Sequence, residues 1–274
     1  MSASGAAVQL AALHWRGLPL RLEYQWVGEA APASPVMVFL HEGLGSLAMW
    51  KDFPARLCER LGMRGLVFSR HGYGRSTPKP PGERWPVGFM HAQAHEVLPM
   101  LFDALDVRCP WLFGHSDGGS IALLHASKFD VAGLVVVAPH LFVEDVSLAS
   151  IEKAREAYET TDLKQRLARY HDDADSAFRG WNDIWLDAAF RRWNIEAELA
   201  TIAAPVLAVQ GADDEYGSLA QIEGIARTLP KTRLCVLPEC GHSPHRDQPE
   251  MLMRHVAGFV VEPRPPQSFI HRLI

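Results

Sequence analysis

The chain has 274 residues, 48% of them apolar, with 27 Lys and Arg against 32 Asp and Glu for a formal net charge of -5. That length and apolar content fit one large domain with a sizeable core. The net negative charge and the lack of a clustered basic run argue against a nucleic-acid surface, because phosphate binding needs grouped Lys and Arg.

No Lys or Arg precedes Arg16, and no apolar run approaches the roughly 20 residues of a membrane span. A cytoplasmic protein without a secretory leader or membrane segment is expected. Cys58, Cys109, Cys235 and Cys240 show no C-x-x-C spacing, which fits reduced thiols and disfavours a Cys235 to Cys240 bridge.

Leu20 to Val27 reads as an early strand. Val36-Met37-Val38-Phe39-Leu40 reads as a buried strand running into His41-Glu42-Gly43-Leu44-Gly45-Ser46, and Trp50 to Leu61 as a helix. Leu66-Val67-Phe68 then leads into the turn His71-Gly72-Tyr73-Gly74-Arg75-Ser76, before a second helix from Met90 to Leu105. His91 and His95 lie four apart on that helix beside Glu96, a spacing that can bind zinc. H-E-x-x-H is absent and no third ligand is evident, so they read as a surface or packing pair. Neither a metal nor a cofactor is expected.

Trp111-Leu112-Phe113 leads into Gly114-His115-Ser116-Asp117-Gly118-Gly119, and a helix-like segment leaves from Ser120. Strand, sharp turn and helix is the context in which G-x-S-x-G means a nucleophile elbow. The serine of an elbow sits in a strained turn, and the flanking glycines avoid collisions with neighbouring strand and helix. Ser116 is therefore the candidate nucleophile. Ala132 to Val137 reads as another buried strand, ending at Ala138-Pro139-His140. From Leu141 to Ala200 only helical stretches follow, such as Leu148 to Glu159 and Asp162 to His171.

Strands resume with Pro205 to Gln210, which ends in Gly211-Ala212-Asp213-Asp214. Arg233 to Leu237 ends in Pro238-Glu239-Cys240-Gly241-His242. Each puts a catalytic residue type just past a strand's carboxyl end. The order Ser116, Asp214, His242 is the nucleophile, acid, base order of α/β-hydrolases, whereas other serine hydrolase folds use other orders. Over residues 20 to 262 the chain resembles an α/β-hydrolase-fold protein of the esterase, lactonase and C–C hydrolase kind.

The resemblance implies an α/β fold with a mostly parallel sheet flanked by helices. It divides the chain into a core of residues 1–140 and 201–274 and an inserted helical cap over 141–200. That cap holds 13 acidic and 8 basic residues, so the whole net charge of -5 lies in it. The resemblance also implies an oxyanion hole built from the amide of Asp117 and one from the His41 loop, given by Gly43 or Leu44. The turn at 71–76 is similar to the family's R-G-x-G-x-S, with His71 where arginine is common. Glu42 replaces the family's usual glycine, and a carboxylate there is unfavourable unless it points away or is neutralised. The family's G-x-x-D pattern, counted from Gly211, favours Asp214 over Asp213 as the acid; Asp213 reads as a helix cap or a solvated residue.

His41, His115 and His140 each stand at a strand's carboxyl end, where this architecture puts its pocket. His41 reads first as a hydrogen-bonder of its own loop, and His140 as a pocket residue or a structural one. His245 reads as serving the turn after His242 or the next helix. Trp181 and Trp185, spaced i, i+4, share a helix face with Phe178, and this face packs the cap on the core or lines the pocket. Phe142 is a further pocket candidate.

The expected function is a cofactor-independent serine hydrolase of a small ester, lactone or related acyl compound. Its partner is that small molecule, with a homodimer left open. C–C bond hydrolysis of a β-diketone or dienoic ring-cleavage product is the alternative within catalysis. A slow ligand-binding receptor is the alternative outside it, less favoured because elbow, acid and base are all present.

Overall fold

In the computed structural model, residues 7–261 are described; the tail from Pro263 to Ile274, whose role the sequence leaves open, lies outside them. The chain starts with a hairpin of β1 (Gln9–Trp15) and β2 (Leu18–Val27), so a strand precedes the first one expected. Arg16 (φ 51°) and Gly17 (φ 80°) form its turn, and two left-handed residues are what a tight hairpin needs to match strand twist. Then come β3 (Val36–Leu40), α1 (Phe53–Leu61), β4 (Arg64–Phe68), α2 (Phe89–Ala92) and α3 (Leu98–Ala104). The expected helix from Trp50 is instead a 3-10 turn at Leu47–Trp50 and then α1, broken at Lys51 with φ 56°. A π-helical segment, Gln93–Val97, separates α2 from α3. Pro99 has no N–H to return to the preceding turn, and the helix widens just before it.

The elbow joins β5 (Trp111–His115) to α4 (Asp117–Ala126), and β6 (Gly133–Val137) follows. Three helices, α5 (Asp145–Thr160), α6 (Leu163–Leu167) and α7 (Ala174–Trp185), fill the stretch before β7 (Val206–Gly211). An isolated antiparallel bridge between Phe142 and Asn194 pinches the base of this excursion. The chain continues through α8 (Ala220–Thr228), β8 (Arg233–Leu237), α9 (Pro244–Asp247) and α10 (Pro249–Val261).

Among the described residues, eight strands form one sheet in the order β1-β2-β4-β3-β5-β6-β7-β8, antiparallel from β1 to β4 and parallel beyond. Strands β5, β6 and β7 are buried along their whole length, as their unbroken apolar runs require. Two apolar cores cover the two faces: α1 and α10 pack on one, while α3, α4, α8 and the helices between β6 and β7 pack on the other. All four cysteines are free. Among the described residues no helix is long and apolar enough to cross a membrane.

Candidate active site

The turn after β5 holds Ser116 at φ 53° and ψ -121°, a region that costs a side-chain-bearing residue roughly 1–3 kcal/mol. The surrounding glycines make the turn sterically possible. A Cβ on Gly118 would run into the Leu40 carbonyl, and one on Gly114 into the Gly118 carbonyl. The strain aims Ser116 Oγ away from the sheet, where it donates to His242 Nε2 at 2.9 Å. His242 Nδ1 in turn donates to Asp214 Oδ1 at 2.8 Å.

Asp214 is fixed by two further donors, the Tyr216 amide at 2.8 Å and Gln210 Nε2 at 3.1 Å. Burial alone would raise its pKa, but the contact with His242 and the Tyr216 amide outweigh it and hold the carboxyl below the usual range. Asp213 is exposed, and its amide donates to the Cys240 carbonyl. The loop bearing His242 is held at both peptide ends. Its amide donates to Glu215 Oε2 at 3.1 Å, and its carbonyl accepts from His115 Nε2 at 2.7 Å. The Tyr216 ring lies 4.8 Å from the imidazole.

A second imidazole approaches the nucleophile: His140 Nε2 lies 3.5 Å from Ser116 Oγ. Burial beside His242 lowers the His140 pKa to about 3, so this ring stays neutral. Ser120 Oγ bridges the His140 amide and carbonyl, and Trp185 packs edge-on at 4.8 Å.

The loop after β3 is organised around one acceptor. The Glu42 carbonyl accepts from His41 Nδ1, Arg70 and the Gly45 amide, while His41 Nε2 accepts from the Arg70 amide. His41 is thereby committed to its loop through both ring nitrogens, and burial keeps it neutral. The amides of Gly43 and Leu44 donate no hydrogen bond within the described residues. Asp117 opens α4, where a helix leaves its first amides without internal acceptors. The Glu42 carboxylate has Arg246 at 3.5 Å and His115 Nδ1 at 3.7 Å. Burial would raise its pKa, yet these neighbours hold it well below the usual range.

Sequence reasoning did not anticipate the side-chain environment of Asp117. Its carboxylate is buried, 3.7 Å from the equally buried Arg70, and accepts from Trp185 Nε1 at 3.2 Å. Burial pushes the Asp117 carboxyl up to about 6, against the opposing pull of Arg70. The turn before the 71–76 motif placed Arg70 without marking it, and Gln210, one residue before Gly211, was equally unmarked. Trp181 lies directly over Gly43, where a Cβ would collide with the indole. Phe142 is half-buried at the bridge to Asn194, and Gln221 donates to its carbonyl. His245 is buried against Trp50 and His115. Elsewhere, His95 Nε2 donates to the Leu124 carbonyl and His91 meets Glu198. No group of three or more His, Cys, Asp or Glu among the described residues is arranged to hold a metal.

Residues 37–254 match the family model described as the Alpha/beta hydrolase family. A pimeloyl-[acyl-carrier protein] methyl ester esterase from Aromatoleum aromaticum is 30% identical, with 79% of this chain and 94% of that protein covered. A protein named "Putative carbamate hydrolase RutD" from Agrobacterium fabrum is 27% identical over 82% of this chain and 92% of its own length. Among solved structures, a hydrolase from Pseudomonas aeruginosa PA01 superposes with a TM-score of 0.72 at 21% identity, covering 94% of this chain and 100% of that one. At that identity the likeness shows the fold.

Proposed function

The chain belongs to the alpha/beta hydrolase family, and from that premise we propose that it is a serine hydrolase of a small carboxylic ester, lactone or related acyl compound. Ser116 is its nucleophile, His242 its base and Asp214 its acid. The observation that carries this reading is the unbroken line from Ser116 Oγ to His242 Nε2 at 2.9 Å and from His242 Nδ1 to Asp214 at 2.8 Å. Relatives named for a methyl ester and for a carbamate support an acyl substrate.

A serine hydroxyl is a weak nucleophile at neutral pH, so His242 Nε2 takes its proton as Oγ attacks the acyl carbon. Asp214 holds the Nδ1–H tautomer and stabilises the imidazolium. The carbonyl oxygen becomes an oxyanion facing the amide of Asp117 and that of Gly43 or Leu44, each worth about 3 kcal/mol in the transition state. Collapse breaks the bond to the leaving group, which departs with the proton from His242. Water then gives a proton to His242 and attacks the acyl-enzyme, and Ser116 recovers its proton as the acid leaves.

The Arg246 guanidinium beside Glu42 lets a carboxylate stand in this loop without opposing the oxyanion. Helices α5 to α7 serve as the cap over 141–200. The contacts of Trp181 with the loop at Gly43 and of Trp185 with His140 and Asp117 support a cap that closes over the acyl site. Profiling p-nitrophenyl esters of graded acyl length, lactones and a dienoate beside a Ser116→Ala control tests the reading. Ester or lactone turnover that disappears in the variant is expected. Turnover of the dienoate alone would move the protein to C–C bond hydrolysis.

A further inference from the structure

The hydrolytic steps at Ser116 leave a neighbouring imidazole unused. His140 Nε2 lies 3.5 Å from Ser116 Oγ, and the residue is 3% exposed. The turn that carries it is fixed at several points. Strand β6 runs into Ala138, whose φ of 47° is unfavourable for a residue with a Cβ, and the Ala138 amide donates to the Val209 carbonyl at 2.8 Å. Pro139 packs tightly on the elbow, where a Cβ on Gly119 would lie 3.0 Å from the Pro139 Cβ. Ser120 Oγ donates to the His140 carbonyl at 2.6 Å and accepts from the His140 amide at 3.0 Å, so α4 grips the backbone of the residue itself. Trp185 meets the ring edge-on at 4.8 Å. A strained turn clamped on the elbow thus holds this ring against the nucleophile.

The surroundings assign the ring's proton to Nε2. Burial beside His242 keeps the imidazole neutral, so it has one N–H and one lone pair. The Ser116 hydroxyl spends its proton on His242 Nε2, which leaves only lone pairs of Oγ towards His140. Nδ1 is buried without a hydrogen-bond partner. A proton on Nδ1 would strand a buried donor and set two acceptors against each other at Oγ. A proton on Nε2 serves Oγ and leaves a single lone pair unmet.

We propose that His140 is a further catalytic residue of this site, its Nε2–H donating to Ser116 Oγ as the bond between Oγ and the acyl carbon breaks in deacylation. The inference rests on the serine-hydrolase reading. Water gives a proton to His242 and attacks the acyl carbon; the electron pair of the breaking bond passes to Oγ, the His242 imidazolium returns its proton there, and His140 keeps its own throughout. An ester oxygen is a weak acceptor and a departing alkoxide a strong one, so this hydrogen bond gains most in the transition state. At 3.5 Å it is long, but catalytic hydrogen bonds are often long before the reacting complex forms and tighten within it. An uncharged ring supplies the donor without opposing the imidazolium of His242, whose centroid is 6.0 Å away.

Steady-state kinetics with p-nitrophenyl butyrate test this. Nitrophenoxide leaves readily, so kcat follows deacylation while kcat/KM follows acylation. His140→Leu should lower kcat about tenfold and kcat/KM by only about threefold or less, because one charge-assisted hydrogen bond is lost mainly from deacylation; KM then falls. His140→Gln places an amide N–H near the position of Nε2 and should recover most of kcat. His140→Phe, which keeps the ring shape without the donor, takes the place of the leucine variant if that fails to fold. Equal falls in kcat and kcat/KM, an unchanged kcat, or a glutamine variant no faster than the leucine one would each overturn the inference while wild-type turnover left the serine-hydrolase reading standing. No wild-type turnover of any ester would overturn both.

Discussion

At the scale of single residues, the two adjacent aspartates give the sharpest contrast. Asp214 meets His242 Nδ1 at 2.8 Å, whereas Asp213 is exposed and touches the loop through its amide. Asp214→Asn should lower kcat by on the order of 10⁴-fold, because the amide favours the wrong imidazole tautomer. Asp213→Asn should leave kcat within a few-fold. Steady-state kinetics of both variants check this, and reversed effects would exchange the two roles. Ser116, Asp214 and His242 were legible because each follows an apolar strand-like run and stands within three residues of a glycine. Arg70 and Gln210 were not, since a lone arginine or glutamine carries no spacing signal. Arg70 reaches Asp117 only because β4 lies beside β3 and β3 beside β5. That neighbourhood exists in the sheet order and not along the chain.

At the scale of elements, α7 links the helices between β6 and β7 to the elbow. Trp185 donates to Asp117, and Trp181 covers Gly43. Both indoles are buried in the same apolar core as the sheet helices, so one face does the packing and also borders the elbow and the loop after β3. Trp181→Ala should change relative kcat/KM between short and long acyl esters while Ser116 still reacts with a small phosphonate. An equal fall for every substrate with a lower melting temperature would show that the indole only holds the helix in place. Most elements were legible from apolar runs, including the strandless stretch from 141 to 200. The hairpin strand β1 was missed because its inward residues Ala11 and Leu13 alternate with polar His14 and exposed Ala12, a weak period-2 signal. The π-helical segment was missed because helical periodicity does not report a local change of pitch.

At the scale of the whole molecule, buried neutral histidines set the acid limit of the fold. His41, His71, His125, His140 and His245 all have pKa values lowered by burial from 6.5. A base with a lowered folded pKa binds fewer protons than the unfolded chain, so stability declines as pH falls below about 6.5. For His125, whose folded value is about 4, the loss runs from 6.5 down to that value. Each such group adds about 1.4 kcal/mol per pH unit to the slope. His125 lies away from Ser116, with Nδ1 donating to the Ala94 carbonyl at 2.8 Å. His125→Gln should therefore flatten the fall in unfolding free energy between pH 6 and pH 5 by about that amount. Urea unfolding at the two pH values measures it, and an unchanged slope would mean that His125 is already protonated in the fold.

The hydrogen-bonded line from Asp214 through His242 to Ser116 is proposed to activate one hydroxyl. Labelling the intact protein with a fluorophosphonate, followed by peptide mapping by mass spectrometry, tests that most directly. One phosphonyl group per chain, mapped to Ser116 and lost in both Ser116→Ala and His242→Ala, is the predicted result. Labelling at another serine, or undiminished labelling of Ser116 without His242, would contradict it.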